Sequence, residues 1–319
     1  MKNAKEIGGY FGLEKLISYE YYPELAAVNN ARCALLYIIK AKRYHKVYLP
    51  YFLCDSVRFA LEREGIPFEE YRIDKRFLPL PDLRTNPGEV MYIVNYYGLL
   101  CDEQLISLKN RHGNIVVDNA QAFFAKPVKG IDTVYSCRKF FGVPDGGYAY
   151  TDAEFHESIS VDVSMKRMRH LLGRFEGNSA SDYYDCFQQN DESFKEIELR
   201  LMSKLTHNIL GAVDYQTAKR RREENFTFLS NALGKKNLIK MTCPPGPYAY
   251  PFYLPHGGMM VRKQLAKRRI YVATLWPNVL GIGLDTETDF TENILPLPCD
   301  QRYSEEDMQR VADAVSELI

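Results

Sequence analysis

Two segments of the chain hold residues that could do chemistry together. NIVVDNAQ, residues 114–121, places Asp118 at the end of an apolar run, with Gln121 just after it. VYSCRKFFGVPDGGYAYTD, residues 134–152, carries Ser136, then Lys139 followed by two phenylalanines, then Gly146 and Gly147. An ionised aspartate at the end of a buried strand is costly unless it is paired or hydrogen-bonded. A protonated aromatic nitrogen is one partner that suits it, and a lysine one strand over could carry the aldehyde of the same ring. Pyridoxal phosphate requires both groups, an acid facing its pyridinium nitrogen and a lysine for the Schiff base. It also requires phosphate donors, which a helix N-terminus supplies as backbone N–H groups. The helix start at Asn30, Ala31 and Arg32 is a candidate, with the Ser136 hydroxyl beside it. The plainer alternatives are a surface Lys-Arg turn at Lys139, a capping or turn role for Asp118, and structural hydrogen bonding by Gln121 and Ser136.

The elements that must position these residues alternate along the chain. NNARCALLYIIKAKRY reads as a helix with Ala34, Leu35, Ile38 and Ile39 on one face and Asn29 or Asn30 as N-cap. KVYLP reads as a strand ending at Pro50, CDSVRFALEREG as a helix stopped by Gly65, and PFEEYRID as a strand. EVMYIVNYYG is a continuous apolar run of the kind buried on both faces of a sheet. DEQLISLKNRHG is an amphipathic helix ended by Gly113, and NIVVDNA, DTVYS and GGYAYTD are further strands. Such alternation predicts an α/β chain with a mostly parallel sheet flanked by helices. Ligands collect at the carboxyl ends of such strands, where Asp118, Gln121, Ser136 and Lys139 fall.

After residue 152 the chain is more polar. A loop is expected at GRFEGNSASDYYDCFQQNDE (173–192), followed by a long helix pair over 193–233, in which Lys219 to Arg222 reads as a solvated face. CPPGPYAYPFYLP, the helix GGMMVRKQLAKRRI, YVATLWPNVL and a last helix SEEDMQRVADAVSELI complete a smaller α+β unit. The expected division is a large domain over 1–220 and a small one over 221–319.

Composition excludes some classes. Acids and bases balance at 41 each, which gives no electrostatic case for nucleic acid or an anionic membrane as partner. The seven cysteines show neither a C-x-x-C pair nor metal-ligand spacing, so no metal site is expected. An odd thiol count, no apolar leader in MKNAKEIGGYFGLE and no apolar run long enough for a bilayer predict a soluble cytoplasmic protein. The 23 tyrosines suit half-wet clefts or subunit interfaces.

Taken in order, these motifs make the chain resemble the fold-type-I pyridoxal-phosphate enzymes, and among them the DegT/StrS nucleotide-sugar aminotransferases. NNARCAL stands where that family has a Ser-Gly-Thr-x-Ala-Leu phosphate loop, and YLPYFLCDSV where it has V-x-x-P-x-x-T-aromatic. NYYG resembles its H-x-Y-G, VVDNAQ its I-E-D-x-A-Q, and YSCRKFFGVPDGGYAYT its lysine segment. The tail, YPFYLP to LAKRRIYVATLW, resembles its C-terminal domain.

The resemblance implies roles. Lys139 would form the internal aldimine and then shuttle a proton, with burial and Arg138 lowering its pKa. Asp118 would hold the ring nitrogen protonated, Gln121 would lie by the ring, and Ser136 with Ala31 and Arg32 would hold the phosphate. Three departures accompany it. Ala31 and Arg32 replace the family's Gly and Thr. Cys54 stands at the ring-stacking position, with Phe52 as the nearest aromatic substitute. The family's partner-subunit loop has no clear counterpart, Ser203 and Asn208 being the nearest residues. The implied activity is transfer of an amino group, with glutamate as expected donor, to a keto group of a sugar nucleotide or similar small carbonyl compound, in a homodimer. Tyr10, Phe11, Tyr183 and Tyr184 are candidate pocket lining. A pyridoxal enzyme of other chemistry, and a non-catalytic homologue acting as sensor or assembly partner, are the alternatives.

Overall fold

The computed structural model describes residues 11–16, 19–177, 180–195 and 198–319; Tyr10 lies outside the described residues. Its main sheet has seven strands, β1 (Ala26–Val28), β2 (Lys46–Pro50), β3 (Phe68–Tyr71), β4 (Glu89–Val94), β5 (Ile115–Asn119), β6 (Asp132–Ser136) and β7 (Gly147–Tyr150). They lie in the order β1-β7-β6-β5-β4-β2-β3. The strands from β3 across to β6 are parallel, while β7 runs antiparallel to both of its neighbours. Every residue of β4, β5 and β6 is buried. Continuous apolar runs in the sequence therefore became central strands covered on both faces, as a parallel sheet requires. This is the α/β architecture expected from the alternation of elements.

The first three helices follow their sequence signals. α1 (Ala31–Lys42) is capped by Asn30, whose side chain accepts the N–H of Cys33 at 2.9 Å. It buries Cys33 to Leu36, Ile38 and Ile39, and it ends where Arg43 turns left-handed (φ 56°). α2 (Asp55–Arg63) stops before Gly65 (φ 65°), and α3 (Asp102–His112) stops at Gly113 (φ 88°). Each stop uses the left-handed backbone that glycine adopts without a Cβ penalty.

The middle of the chain departs from expectation. The stretch 173–192 is not one loop: α4 (Arg169–Gly177) and α5 (Tyr184–Ser193) occupy most of it. Of its own residues α4 buries only His170 and α5 only Asn190, so neither left an apolar stripe in the sequence. The helix pair expected over 193–233 is shorter at its start. Residues 199–202 run extended, with Leu201 bridging to Val28 and Val161 and the Met202 N–H bonding to the Ala27 carbonyl. α6 (Lys204–Leu210) begins only after the Ser203 cap, and α7 (Tyr215–Leu233) follows Asp214.

The solvated face expected at Lys219–Arg222 is half right. Lys219, Arg220 and Arg221 pair with Glu223 and Glu224 along the helix, but Arg222 points inward and is 1% exposed.

The C-terminal unit packs α7, β8 (Tyr250–Tyr253), α8 (Gly258–Lys267), β9 (Ile294–Leu297) and α10 (Glu305–Ser316) around a core of Phe226, Leu229, Phe252, Leu265, Leu295 and Met308. β8 and β9 pair antiparallel, with Pro251 opposite Pro296. β9 was not expected. It is four residues long, contains a proline, and follows α9 (Asp285–Asn293) with no turn between them. Among the described residues no helix is long and apolar enough to cross a membrane.

Candidate active site

Asp118 is the next-to-last residue of β5, beside Val134 of β6, and Ser136 ends β6 opposite Gly147 of β7. Asp118 is 7% exposed, and its Oδ1 accepts the N–H of Ala120 at 2.7 Å. Burial pushes its carboxyl above the usual aspartate range, while the Lys139 ammonium pulls it back down. Both residues singled out in the sequence thus belong to the carboxyl edge of the sheet, Asp118 in β5 and Lys139 in the turn after β6.

The turn into β7 fixes the tip of α1. Gly146 sits at φ 116°, a left-handed region closed to most side chains, and its N–H donates to the Asn29 carbonyl at 2.6 Å. A Cβ on Gly147 would lie 2.6 Å from the Asn30 carbonyl carbon and 2.8 Å from the Ala31 nitrogen, so only glycine allows this approach. Asp145 anchors the turn from below. It is fully buried and accepts the Ser203 N–H at 2.9 Å, the Ser203 hydroxyl at 2.8 Å and the Thr206 hydroxyl. Ser136 and the tip of α1 therefore flank the same glycine. Because the Asn30 side chain takes the Cys33 N–H, the N–H groups of Ala31 and Arg32 remain as the helix's leading donors.

Lys139 itself corrects an expectation. It is exposed on the single chain, not buried among the phenylalanines. Phe140 and Phe141 turn inward into a cluster with Phe123 and Phe124. Arg138 turns away as well: it pairs with Asp191 at 3.1 Å and lies over the Phe194 ring at 4.6 Å. Lys139 Nζ stands 5.8 Å from the centre of the Tyr248 ring, a neighbour the sequence reading missed.

Gln121 is 2% exposed, and its Oε1 accepts the Tyr97 N–H at 2.8 Å. Its Nε2 is buried without a partner, and so is the Tyr97 hydroxyl. Tyr97, in the NYYG segment, was also missed as a site residue. The signal that could have found it is the second tyrosine before Gly98, at a strand end where the backbone turns left-handed (φ 56°).

The remaining candidates have these surroundings. Phe52 is fully buried against Tyr96, Trp276 and Phe290, so it has no face to offer a ligand. Cys54 is exposed at the start of α2. Arg32 lies toward Phe194, 5.9 Å from its ring. Ser203 is buried as the α6 cap, and Asn208 holds Leu16 and Glu14 of its own chain. Phe11 is exposed, the Tyr183 ring packs on Gly173, and Tyr184 stacks on Phe187. A cavity of about 300 Å³ lined by Phe141, Gly142, Thr217 and Gln301 is touched by none of Asp118, Gln121 or Ser136.

The residues present fit a phosphorylated pyridine. A buried acid stands near the end of β5, a helix tip and a serine converge on one glycine, and two orphaned polar atoms lie at Gln121 and Tyr97.

No family model matches the sequence, and no curated protein sequence matches it. Solved structures do match. A DegT/DnrJ/EryC1/StrS aminotransferase from Brucella abortus is 14% identical, with a TM-score of 0.60, over 92% of this chain and 85% of its own. DesI, solved in the presence of its TDP-sugar product, is 16% identical with a TM-score of 0.63, over 91% of this chain and 79% of its own. NtdA from Bacillus subtilis, solved with the cofactor PMP, is 15% identical with a TM-score of 0.66, over 92% of this chain and 72% of its own. The chain has the fold of these proteins, the fold-type-I architecture of pyridoxal-phosphate enzymes.

Proposed function

We propose that the protein is a pyridoxal-phosphate-dependent aminotransferase acting on a keto sugar nucleotide or a similar small carbonyl compound, with glutamate as amino donor. The observation that carries this reading is the convergence of Ser136 and the tip of α1 on Gly147, at the edge of the sheet where β5 brings Asp118 and the turn after β6 brings Lys139. When bound, the cofactor supplies an electron sink conjugated to the transferred nitrogen. Asp118 holds a proton on the pyridine nitrogen, a role for which a buried carboxylate needs such a partner. Lys139 would hold the cofactor through Nζ and move a proton at the substrate carbon. Ser136 and the N–H groups of Ala31 and Arg32 bind the phosphate. Gln121 offers its free Nε2 to the ring. The same reading includes a cytoplasmic homodimer, and a cofactor-binding part over residues 1–220 with a smaller part over 221–319, α7 running through the junction.

One observation favours a second reading. Phe194 and Lys195 close against Asn30 and Arg32, leaving a cavity of about 10 Å³ at the helix tip. A homologue kept as a sensor would tolerate that closure, and conversion of glutamate to 2-oxoglutarate separates it from an enzyme.

The test is an absorbance spectrum with added pyridoxal phosphate, wild type against Lys139→Ala. A visible band that depends on Lys139 and bleaches with glutamate is expected. No band in the wild type would end the reading, and a band indifferent to every amino donor would move it to the sensor.

A further inference from the structure

Arg222 of α7 is 1% exposed, an expensive place for a guanidinium unless its protons are taken up. Its Nη1 donates to the Pro247 carbonyl at 2.8 Å and its Nη2 to the Phe140 carbonyl at 3.2 Å. The guanidinium carbon lies 4.5 Å from the centre of the Phe140 ring. A second donor reaches the same carbonyl: Gln301 Nε2 stands 2.8 Å from it. The next residue of α7, Glu223, accepts the Gly246 N–H at 3.1 Å. Two successive residues of one helix thus grip two separate turns.

Those turns are the ones that define the lysine's surroundings. Phe140 directly follows Lys139. Pro247 directly precedes Tyr248, whose ring lies 5.8 Å from Lys139 Nζ and 6.1 Å from the Phe140 ring. Otherwise the backbone of the lysine turn is held by the Phe140 and Phe141 N–H groups on the Cys137 carbonyl. An exposed lysine on so short a turn has no side-chain packing to fix it. Stability alone does not account for Arg222, since a well-packed apolar residue of similar volume often stabilises as much or more than a buried charge. What a guanidinium adds is a planar fork that holds two acceptors at fixed separation.

We propose that Arg222 and Gln301 are positioning residues that lock the Lys139 turn and the Tyr248 turn into one unit, keeping the Lys139 amine beside Tyr248. The proposal rests on the reading of Lys139 as the cofactor-attaching lysine. Both side chains bond backbone carbonyls beside the lysine and none of its own atoms, so each would act through the placement of Lys139.

A double-mutant cycle tests this. Pyridoxal phosphate affinity is measured for wild type, Gln301→Ala, Lys139→Ala and the double variant, with thermal melts as a folding control. Gln301→Ala is expected to weaken binding roughly five- to tenfold when Lys139 is present, to shift the pH midpoint of the visible band, and to change nothing in the Lys139→Ala background. Arg222→Lys, which offers a point charge in place of a fork, is expected to weaken binding at least as much. An equal loss from Gln301→Ala in both backgrounds would overturn the positioning role and leave the cofactor reading standing. A wild type that binds no more tightly than Lys139→Ala would remove the cofactor reading and the positioning role together, a result distinct from an additive cycle.

Discussion

The side-chain oxygen of Gln121 accepts the backbone N–H of Tyr97 at 2.8 Å, and that one bond laces together the ends of β5 and β4. A second lace runs parallel to it, Asn95 Nδ2 donating to Asn119 Oδ1 at 2.9 Å. Tyr97 stands at φ 56°, a conformation that costs a non-glycine residue about 1 kcal/mol or more and persists only when its surroundings hold it. The lacing leaves Gln121 Nε2 and the Tyr97 hydroxyl buried and unpaired, so the strand ends have unused hydrogen-bonding capacity.

Removing the lace is therefore expected to cost stability. Gln121→Ala strands the Tyr97 N–H and should lower the unfolding free energy by about 1–3 kcal/mol. Tyr97→Phe removes an orphaned hydroxyl and should leave stability unchanged or raised. Urea unfolding of the two variants checks both, and a Gln121→Ala protein as stable as wild type would show that the bond does not hold the turn.

Asp118 gives the opposite trade. Its folded pKa is raised by burial, so the folded chain holds this proton more tightly than the unfolded chain does. The resulting stability is fully present below the unfolded value near 3.8 and is lost as pH rises through the folded value. Asp118→Asn removes that loss. Without cofactor, the variant should be more stable than wild type at pH 7, with the gap closing as pH falls through the folded value toward 3.8. Its cofactor affinity should fall, because an amide cannot pair with a protonated ring nitrogen. Denaturation curves at pH 3.5 and pH 7 and a cofactor titration decide the matter; a variant weaker than wild type at both pH values would contradict the argument.

The sheet was legible because β4 and the first half of β5, buried on both faces, are apolar runs. Asp118 stood out because it follows such a run, and Lys139 because it stands between two strands before a pair of phenylalanines. α4 and α5 were not, since helices that bury almost nothing leave no period to read. Arg222 was misread for a related reason. Within Lys219–Arg222 only the three-dimensional position of the Phe140 and Pro247 carbonyls distinguishes the inward arginine from its neighbours. Tyr248 and Tyr97 were missed because their roles depend on long-range contacts with Lys139 and Gln121. Phe52 was misjudged because its burial comes from Trp276 and Phe290, which lie far along the chain.

His207 and Glu20 tie α6 to the segment leading into β1, with His207 Nδ1 2.6 Å from Glu20 Oε1. Burial pushes the Glu20 carboxyl up, but hydrogen bonds from His207 and Tyr148 pull it further down, to below its ordinary value. The Glu20 hydrogen bond raises His207 against its burial. The Glu20 contribution is present above 4.5 and lost as pH falls through its folded value, and the His207 contribution is present below 6.5 and lost as pH rises through its folded value. The pair is thus worth most between pH 4.5 and 6.5. Because the His207 side chain is 39% exposed, the gain should stay below about 1 kcal/mol. His207→Gln should destabilise at pH 5.5 and match wild type by pH 9; a deficit that persists unchanged at high pH would assign the loss to packing.

Gly147 offers the sharpest test of the phosphate site. A methyl group there would come within 2.8 Å of the Asn30 and Ala31 backbone, and backbone cannot swing aside as a long side chain can. Gly147→Ala must therefore push α1 away from β7, at a cost of about 1–3 kcal/mol in the manner of an overpacked core. The same displacement moves the Ala31 and Arg32 N–H groups away from Ser136. If those groups hold a phosphate, the variant should lose roughly tenfold of the preference for pyridoxal phosphate over unphosphorylated pyridoxal, about the worth of one hydrogen bond to a charged group. Affinity for pyridoxal itself should change little, because Asp118 and Lys139 stand on β5 and on the turn after β6, outside the contact being disrupted. Titration of both compounds against wild type and variant gives the ratio directly. An unchanged ratio would place the phosphate elsewhere than at the tip of α1, while equal loss for both compounds would mean that the substitution disturbs the lysine turn as well.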